Sequence, residues 1–250
     1  MSTHLTARRG IIPVRRSPED RAEMVTELLF GEGFAVDRAE DEWLYGSCVH
    51  DGYPGWCRAD GLVGASPPSH RVSALRTFLF PEPDFKRPPL RALSLGARLN
   101  VLTERSGYCE IDGGGWVASV AVADLRELAD DWAGTASRYV GVPYLWGGRS
   151  SLGLDCSGLV QVSLSAAGIS VPRDSGDQSE AVGRPLGSSE ALRRGDLAFF
   201  PGHVAIMVDE RYCVNASSDP MAVVIEPLSD LSERMQRREG RGLVVARRID

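Results

Sequence analysis

The sequence lacks a basic surplus. Its 28 Lys and Arg stand against 34 Asp and Glu, a formal charge of −6. Nucleic acid and anionic membrane both call for a basic face, so neither is expected as a partner. Long apolar runs are missing as well, and no stretch approaches the ~18 residues of a membrane-spanning helix. The N-terminal run MSTHLTARRGIIPVRRSPED shows no apolar segment followed by a small-residue cleavage site, which makes a cytoplasmic enzyme the expectation. Cysteine is sparse: Cys48, Cys57, Cys109, Cys156 and Cys213 are odd in number and never spaced as CxxC. That argues against a disulfide framework and a structural zinc site, so at least one free thiol and no metal or other cofactor are expected. Histidine is scarcer still, at four.

What remains is the composition of a globular chain, 43% apolar and 25% charged over 250 residues, enough for one large core or two to three small ones. The pairs Arg193-Arg194, Arg237-Arg238 and Arg247-Arg248 sit among acids and read as solvated surface. In the first half, residues 25–30, 33–37, 43–49 and 55–58 are short segments rich in Val, Leu, Phe and Trp, divided by Gly, Asp and Pro, and read as strands. The run DGYPGWC at 51–57 is echoed by DGGGWV at 112–117, each behind a similar apolar stretch. A Gly-Trp hairpin recurring at about sixty residues predicts two small tandem β-barrels, with GASPPS at 64–69 as the joint.

Beyond residue 123 the texture changes. Leu125, Leu128, Ala129, Trp132, Ala136 and Val140 recur at helical spacing behind an acidic start, predicting a helix from 124. A second helix is expected over 156–167, and sequential antiparallel strands at 196–200, 203–208, 213–217 and 222–227. Helices followed by a run of strands indicate an α+β domain. The predicted domains are therefore 1–66, 67–123 and 124–250.

The Gly-rich loop GGRSSLGLD delivers Cys156 to the first turn of a helix. Unpaired N–H groups and the helix dipole at that place favour a thiolate, the nucleophilic form. An isolated Cys in an apolar helix is ordinarily packing. Scarcity of bases decides otherwise, because His203 is the only histidine after Cys156, opening the apolar strand HVAIMV. Asn215, twelve residues further on, supplies an amide oxygen able to accept the imidazole Nδ1–H, leaving Nε2 for the thiol. Cys, then His, then a polar orienter is the order of papain-like hydrolases. Cys213 reads as packing, and Trp146 as cleft wall or core.

The stretches GVPYLWGGRSSLGLDCSGLVQ, VPRDSGDQS, LRRGDLAFFPGHVAIMV and CVNAS, spanning about 125–227, resemble the NlpC/p60 family of cell-wall cysteine peptidases. The first half resembles tandem bacterial SH3 (SH3b) domains, best at DGYPGW. The resemblance implies a papain-like α+β fold behind two SH3-like barrels. It further implies hydrolysis of the γ-D-glutamyl–diamino acid bond of peptidoglycan stem peptides, as in the endopeptidases that recycle muropeptides. The family's third catalytic position is most often His, and here it is Asn215. In that subgroup the first SH3b domain narrows one end of the cleft, admitting only a substrate with a free N-terminal L-Ala. Carried over by motif, Tyr53 borders that end, and Glu23 and Asp174 bind the ammonium, with Ser175 beside Asp174. Asp155 and Ser157 line the cleft around the nucleophile. On residues alone, Asp174 is equally a turn or cap residue, and Tyr53 equally packs on its own barrel. Two other functions stay open: a wall- or ligand-binding SH3b module with an inert catalytic half, and an exported hydrolase of intact peptidoglycan.

Overall fold

The computed structural model describes residues 3–64, 66–187 and 189–250, and the chain divides into two compact units, Met1–Leu128 and Ala129–Asp250. In the N-terminal unit, a seven-stranded antiparallel sheet runs in spatial order Met24–Leu29, Ile11–Arg15, Pro54–Arg58, Trp43–Cys48, Gly33–Glu40, Thr3–Ala7, Leu62–Gly64. A five-stranded sheet (Arg91–Ser94, Arg76–Phe80, Trp116–Ala118, Tyr108–Ile111, Val101–Arg105) and a three-stranded one (Arg98–Leu99, His70–Val72, Val122–Asp124) follow. All three sheets are open, so the SH3-like modules are not the closed barrels expected. The repeat is real at the level of elements. Each copy is a hairpin ending on its Trp strand, then a one-turn 3₁₀ helix (Ala59–Gly61; Ser119–Ala121), then a short strand. The joint read at 64–69 includes residue 65, which lies outside the described residues.

The C-terminal unit is α+β. Its six-stranded antiparallel sheet has the order Arg184–Pro185, Val245–Arg248, Leu197–Phe200, His203–Met207, Tyr212–Ser217, Ala222–Pro227. Among the described residues, four helices accompany it: α1 (Trp132–Ser137), α2 (Cys156–Ala166), α3 (Ser175–Ala181) and α4 (Leu228–Glu239). Buried on one side are Ala198, Phe200, Ala205, Met207 and Cys213, packed with Leu231 and Met235 of α4. Cys213 is thus core, as read. Among the described residues, no helix is long and apolar enough to cross a membrane.

Two local expectations fail for physical reasons. The helix predicted from 124 shrinks to α1. Val122–Asp124 is drawn into a sheet by pairing with His70–Val72, and the Asp131 side chain accepts the Gly134 N–H, which fixes the helix start at Trp132. The pair Arg247-Arg248 is not all solvated surface. Arg248 is buried, its guanidinium gripping Asp196 at 2.6 and 2.8 Å.

Candidate active site

Cys156 is the first residue of α2, and what puts it there is Asp155. As N-cap, Asp155 accepts the Gly158 N–H at 2.7 Å, while its other oxygen accepts the Gly147 N–H at 2.8 Å. The Arg173 guanidinium holds both carboxylate oxygens, at 2.9 and 2.5 Å, and also bonds the Ser157 hydroxyl at 2.9 Å. The helix start is therefore cross-braced to the VPRDS loop by a buried ion pair. Gly158 has to be glycine, because a Cβ there would meet the Gly148 carbonyl oxygen at 2.2 Å.

The thiol lies against the start of the His203–Met207 strand. Cys156 Sγ is 4.0 Å from the Gly202 carbonyl oxygen, and the Val204 N–H is directed at it. His203, between those two residues, lines the same cleft of about 340 Å³ as Cys156. Tyr144, Trp146, Ser217 and Ser218 line it too, and the α4 side chains Arg234 and Arg238 do so together with Asp219 and Glu239. Trp146 resolves as cleft wall, 60% exposed.

His203 and Asn215 meet as the sequence predicts but through the other ring nitrogen. Nε2 is 3.1 Å from Asn215 Oδ1, so Nδ1, not Nε2, is the nitrogen left for the thiol. The reason lies in the register: His203 opens one strand, while Asn215 sits fully buried on the next, where it reaches the far side of the ring. Asn215 in turn donates from Nδ2 to Glu226 Oε1 at 2.9 Å. Cys213 and Asn215 share one strand face, since pairing with Ala222–Pro227 runs without a bulge.

Burial pushes the Cys156 thiol up to about 12, aided by the Asp155 charge and opposed by the Val204 and Ser157 N–H groups. Burial likewise pushes His203 down to about 4, against the bond to Asn215. Burial thus opposes the thiolate that the helix start favours and holds both groups towards their neutral forms.

Asp155 and Ser157 are both buried, engaged with Arg173 and the helix start, and not in the cleft lining. Asp174 is the exposed N-cap residue of α3, without a side-chain capping bond, and Ser175 is that helix's first residue; neither is among the lining residues. Tyr53 packs on the core of its own module beside Leu44 and Leu62, and Glu23 pairs with Arg16 at 2.6 Å in the same unit. The sequence reading missed Tyr144, whose phenol burial pushes up to about 12, with the Cys156 and Asp155 charges adding. It also missed α4. Leu228, Leu231 and Met235 at helical spacing, ahead of Gly240 in the left-handed region (φ 71°), were the available signal. Arg238, read as surface, lines the cleft.

Comparison with known proteins identifies two domain families. The NlpC/P60 family model matches residues 141–238, and the bacterial dipeptidyl-peptidase SH3 domain model matches 14–62. A γ-D-glutamyl-L-lysine dipeptidyl-peptidase of Bacillus subtilis is 34% identical over 193 residues, 70% of this chain and 63% of that protein, so the match spans less than two thirds of the relative. Dipeptidyl-peptidase 6 of Lysinibacillus sphaericus is 26% identical over 85% of this chain and 87% of its own length. A solved NlpC/P60 family protein from Bacillus cereus superposes with a TM-score of 0.83 at 21% identity, covering 98% of this chain and 99% of that one, and so shares its fold. With a thiol at a helix start, an Asn-held imidazole in the same cleft and these matches, the chain carries an NlpC/P60 cysteine peptidase domain at 141–238 behind a bacterial SH3 domain at 14–62.

Proposed function

We propose that this protein hydrolyses the γ-D-glutamyl–diamino acid bond of peptidoglycan stem peptides bearing a free N-terminal L-Ala, acting on muropeptides in the cytoplasm during wall recycling. The observation that carries the reading is Cys156 and His203 sharing one cleft, with Asn215 holding the far ring nitrogen of the histidine. The name of the Bacillus subtilis relative, a γ-D-glutamyl-L-lysine dipeptidyl-peptidase, supports the choice of bond. The lining also carries charge of both signs, Arg234 and Arg238 beside Asp219 and Glu239, paired with one another.

In this reading the Cys156 thiolate attacks the γ-carbonyl carbon, the diamino acid amine leaves with a proton from the His203 imidazolium, and a thioester remains. Water, deprotonated by His203, then releases the L-Ala-D-Glu dipeptide and frees the thiol. Selection of a free amine follows from the cost of leaving a carboxylate desolvated against an acylated amine.

Mass spectrometry of products from free and N-acetylated L-Ala-γ-D-Glu-diaminopimelate tests both parts. The free tripeptide is expected to give the dipeptide and the diamino acid, and Cys156→Ala to give neither. Cleavage surviving in Cys156→Ala would falsify the mechanism, and equal cleavage of both peptides would remove the free-amine requirement.

A further inference from the structure

Asn215 sits fully buried between His203 and Glu226, and an amide offers its two neighbours opposite ends, one acceptor and one donor. What decides its orientation is on the Glu226 side. The Arg234 guanidinium, which has only donors, occupies both Glu226 oxygens at 2.7 and 2.8 Å, and Asp219 fixes Arg234 in turn at 2.7 Å from its Nε. Burial pushes the Glu226 carboxyl up, and the hydrogen bonds from Arg234 and Asn215 more than reverse it, so the group is a carboxylate. A carboxylate cannot donate. Were the Asn215 amide turned over, its oxygen would face Glu226 Oε1 at about the 2.9 Å now spanned by the N–H. The Nδ2 group must therefore point at Glu226 and Oδ1 at His203. An oxygen facing Nε2 requires that nitrogen to carry the proton, which leaves the Nδ1 lone pair for the thiol.

We propose that Glu226 is a positioning residue of the active site: through the Asn215 amide it selects the Nε2–H tautomer of His203, the form able to accept the Cys156 proton. The Arg234–Asp219 pair keeps Glu226 in place. This rests on the Cys156–His203 assignment but not on the identity of the peptide cleaved.

Glu226→Leu tests it. The introduced side chain accepts nothing, so the Glu226 side no longer favours either end of the Asn215 amide. The amide can then present its NH₂ to His203, which places the ring proton on Nδ1. In the ¹⁵N-labelled full chain, long-range ¹H–¹⁵N correlation spectra at neutral pH are expected to show His203 as Nε2–H, and Glu226→Leu to show Nδ1–H as well, with His203→Gln identifying the signals. Iodoacetamide alkylation of Cys156, followed by peptide mass spectrometry, is expected to slow about 2-fold or more, as an equal mixture of the tautomers gives, and the peptidase kcat to fall with it at unchanged KM. Adding Asn215→Asp to Glu226→Leu restores both readouts, because a carboxylate presents only acceptors to the Nε2–H.

His203 remaining wholly Nε2–H in Glu226→Leu overturns the proposal, and so does a shifted tautomer with unchanged alkylation. If Glu226→Leu does not fold, the unsubstituted protein still decides, because His203 as Nδ1–H there overturns the proposal. The tautomer and the alkylation rate need no peptide, so failure to cleave the stem tripeptide would sink the substrate reading and leave this one standing.

Discussion

At His203, burial and hydrogen bonding pull against each other, and burial prevails. The folded-state value of about 4 lies below the ordinary 6.5, so the folded protein keeps the ring neutral where the unfolded chain has begun to protonate it. The sign follows from linkage: below pH 6.5 the unfolded state binds a proton that the native state refuses, and stability is lost as pH falls towards 4. Above 6.5 both states are neutral and the contribution is fully present. Urea denaturation of the full chain, followed between pH 7 and pH 5, is therefore expected to show a falling midpoint, with a shallower slope in His203→Gln. An unchanged slope in the variant would mean that the ring is not held neutral. Cys156 adds nothing in this range, because its shift lies on the alkaline side.

At the scale of elements, α2 shows why a helix start is not by itself an active site. The thiol is placed by a cap, and the cap is Asp155, held by Arg173 with side-chain exposures of 8% and 1%. Asp155→Ala removes the cap, worth about 0.5–2 kcal/mol, and strands a buried guanidinium, a further loss of about 3–5 kcal/mol. Arg173→Met is expected to cost less, since Asp155 retains the Gly147 and Gly158 N–H donors. Hydrogen exchange of the α2 amides in the full-length variants reads the difference, and equal losses would rule out the asymmetry.

The same element marks what the sequence made legible. Cys156, His203 and Asn215 were found because each lies in a short segment whose order along the chain is itself the chemical signal. The sheet strands from Leu197 to Pro227 were found because apolar runs between Gly, Asp and Pro turns admit little else. Which ring nitrogen faces the thiol, and that Glu226 stands behind Asn215, depend on strand register and side-chain direction, which no spacing encodes. The helix from 124 was lost to a competing long-range pairing, since Val122–Asp124 gains a strand partner in His70–Val72 that a local periodicity count cannot see.

On the scale of the whole molecule, the internal repeat invites a picture of two independent SH3-like modules, and the N-terminal unit contradicts it. Leu29 and Phe30, which belong to the first module by sequence, are buried in one cluster with Val72, Leu79, Leu93, Leu99, Ile111 and Val117 of the second. The Phe30 ring lies beneath guanidinium groups from both, Arg8 at 5.6 Å and Arg91 at 5.9 Å. Next to it, Gly31 has φ 77°, and a Cβ there would stand 1.9 Å from the Arg98 carbonyl oxygen. The backbones are that close because Arg98 N–H donates to the Phe30 carbonyl at 2.7 Å. A domain whose core borrows side chains from its neighbour cannot fold by itself at full stability. Phe30→Ala, a large-to-small change in such a site, typically costs ~3–5 kcal/mol. It is expected to lower hydrogen-exchange protection in the sheets of both modules together, Trp43–Cys48 and Tyr108–Ile111 alike. Loss confined to the first module would show that the second one folds alone and that the shared cluster is contact without coupling.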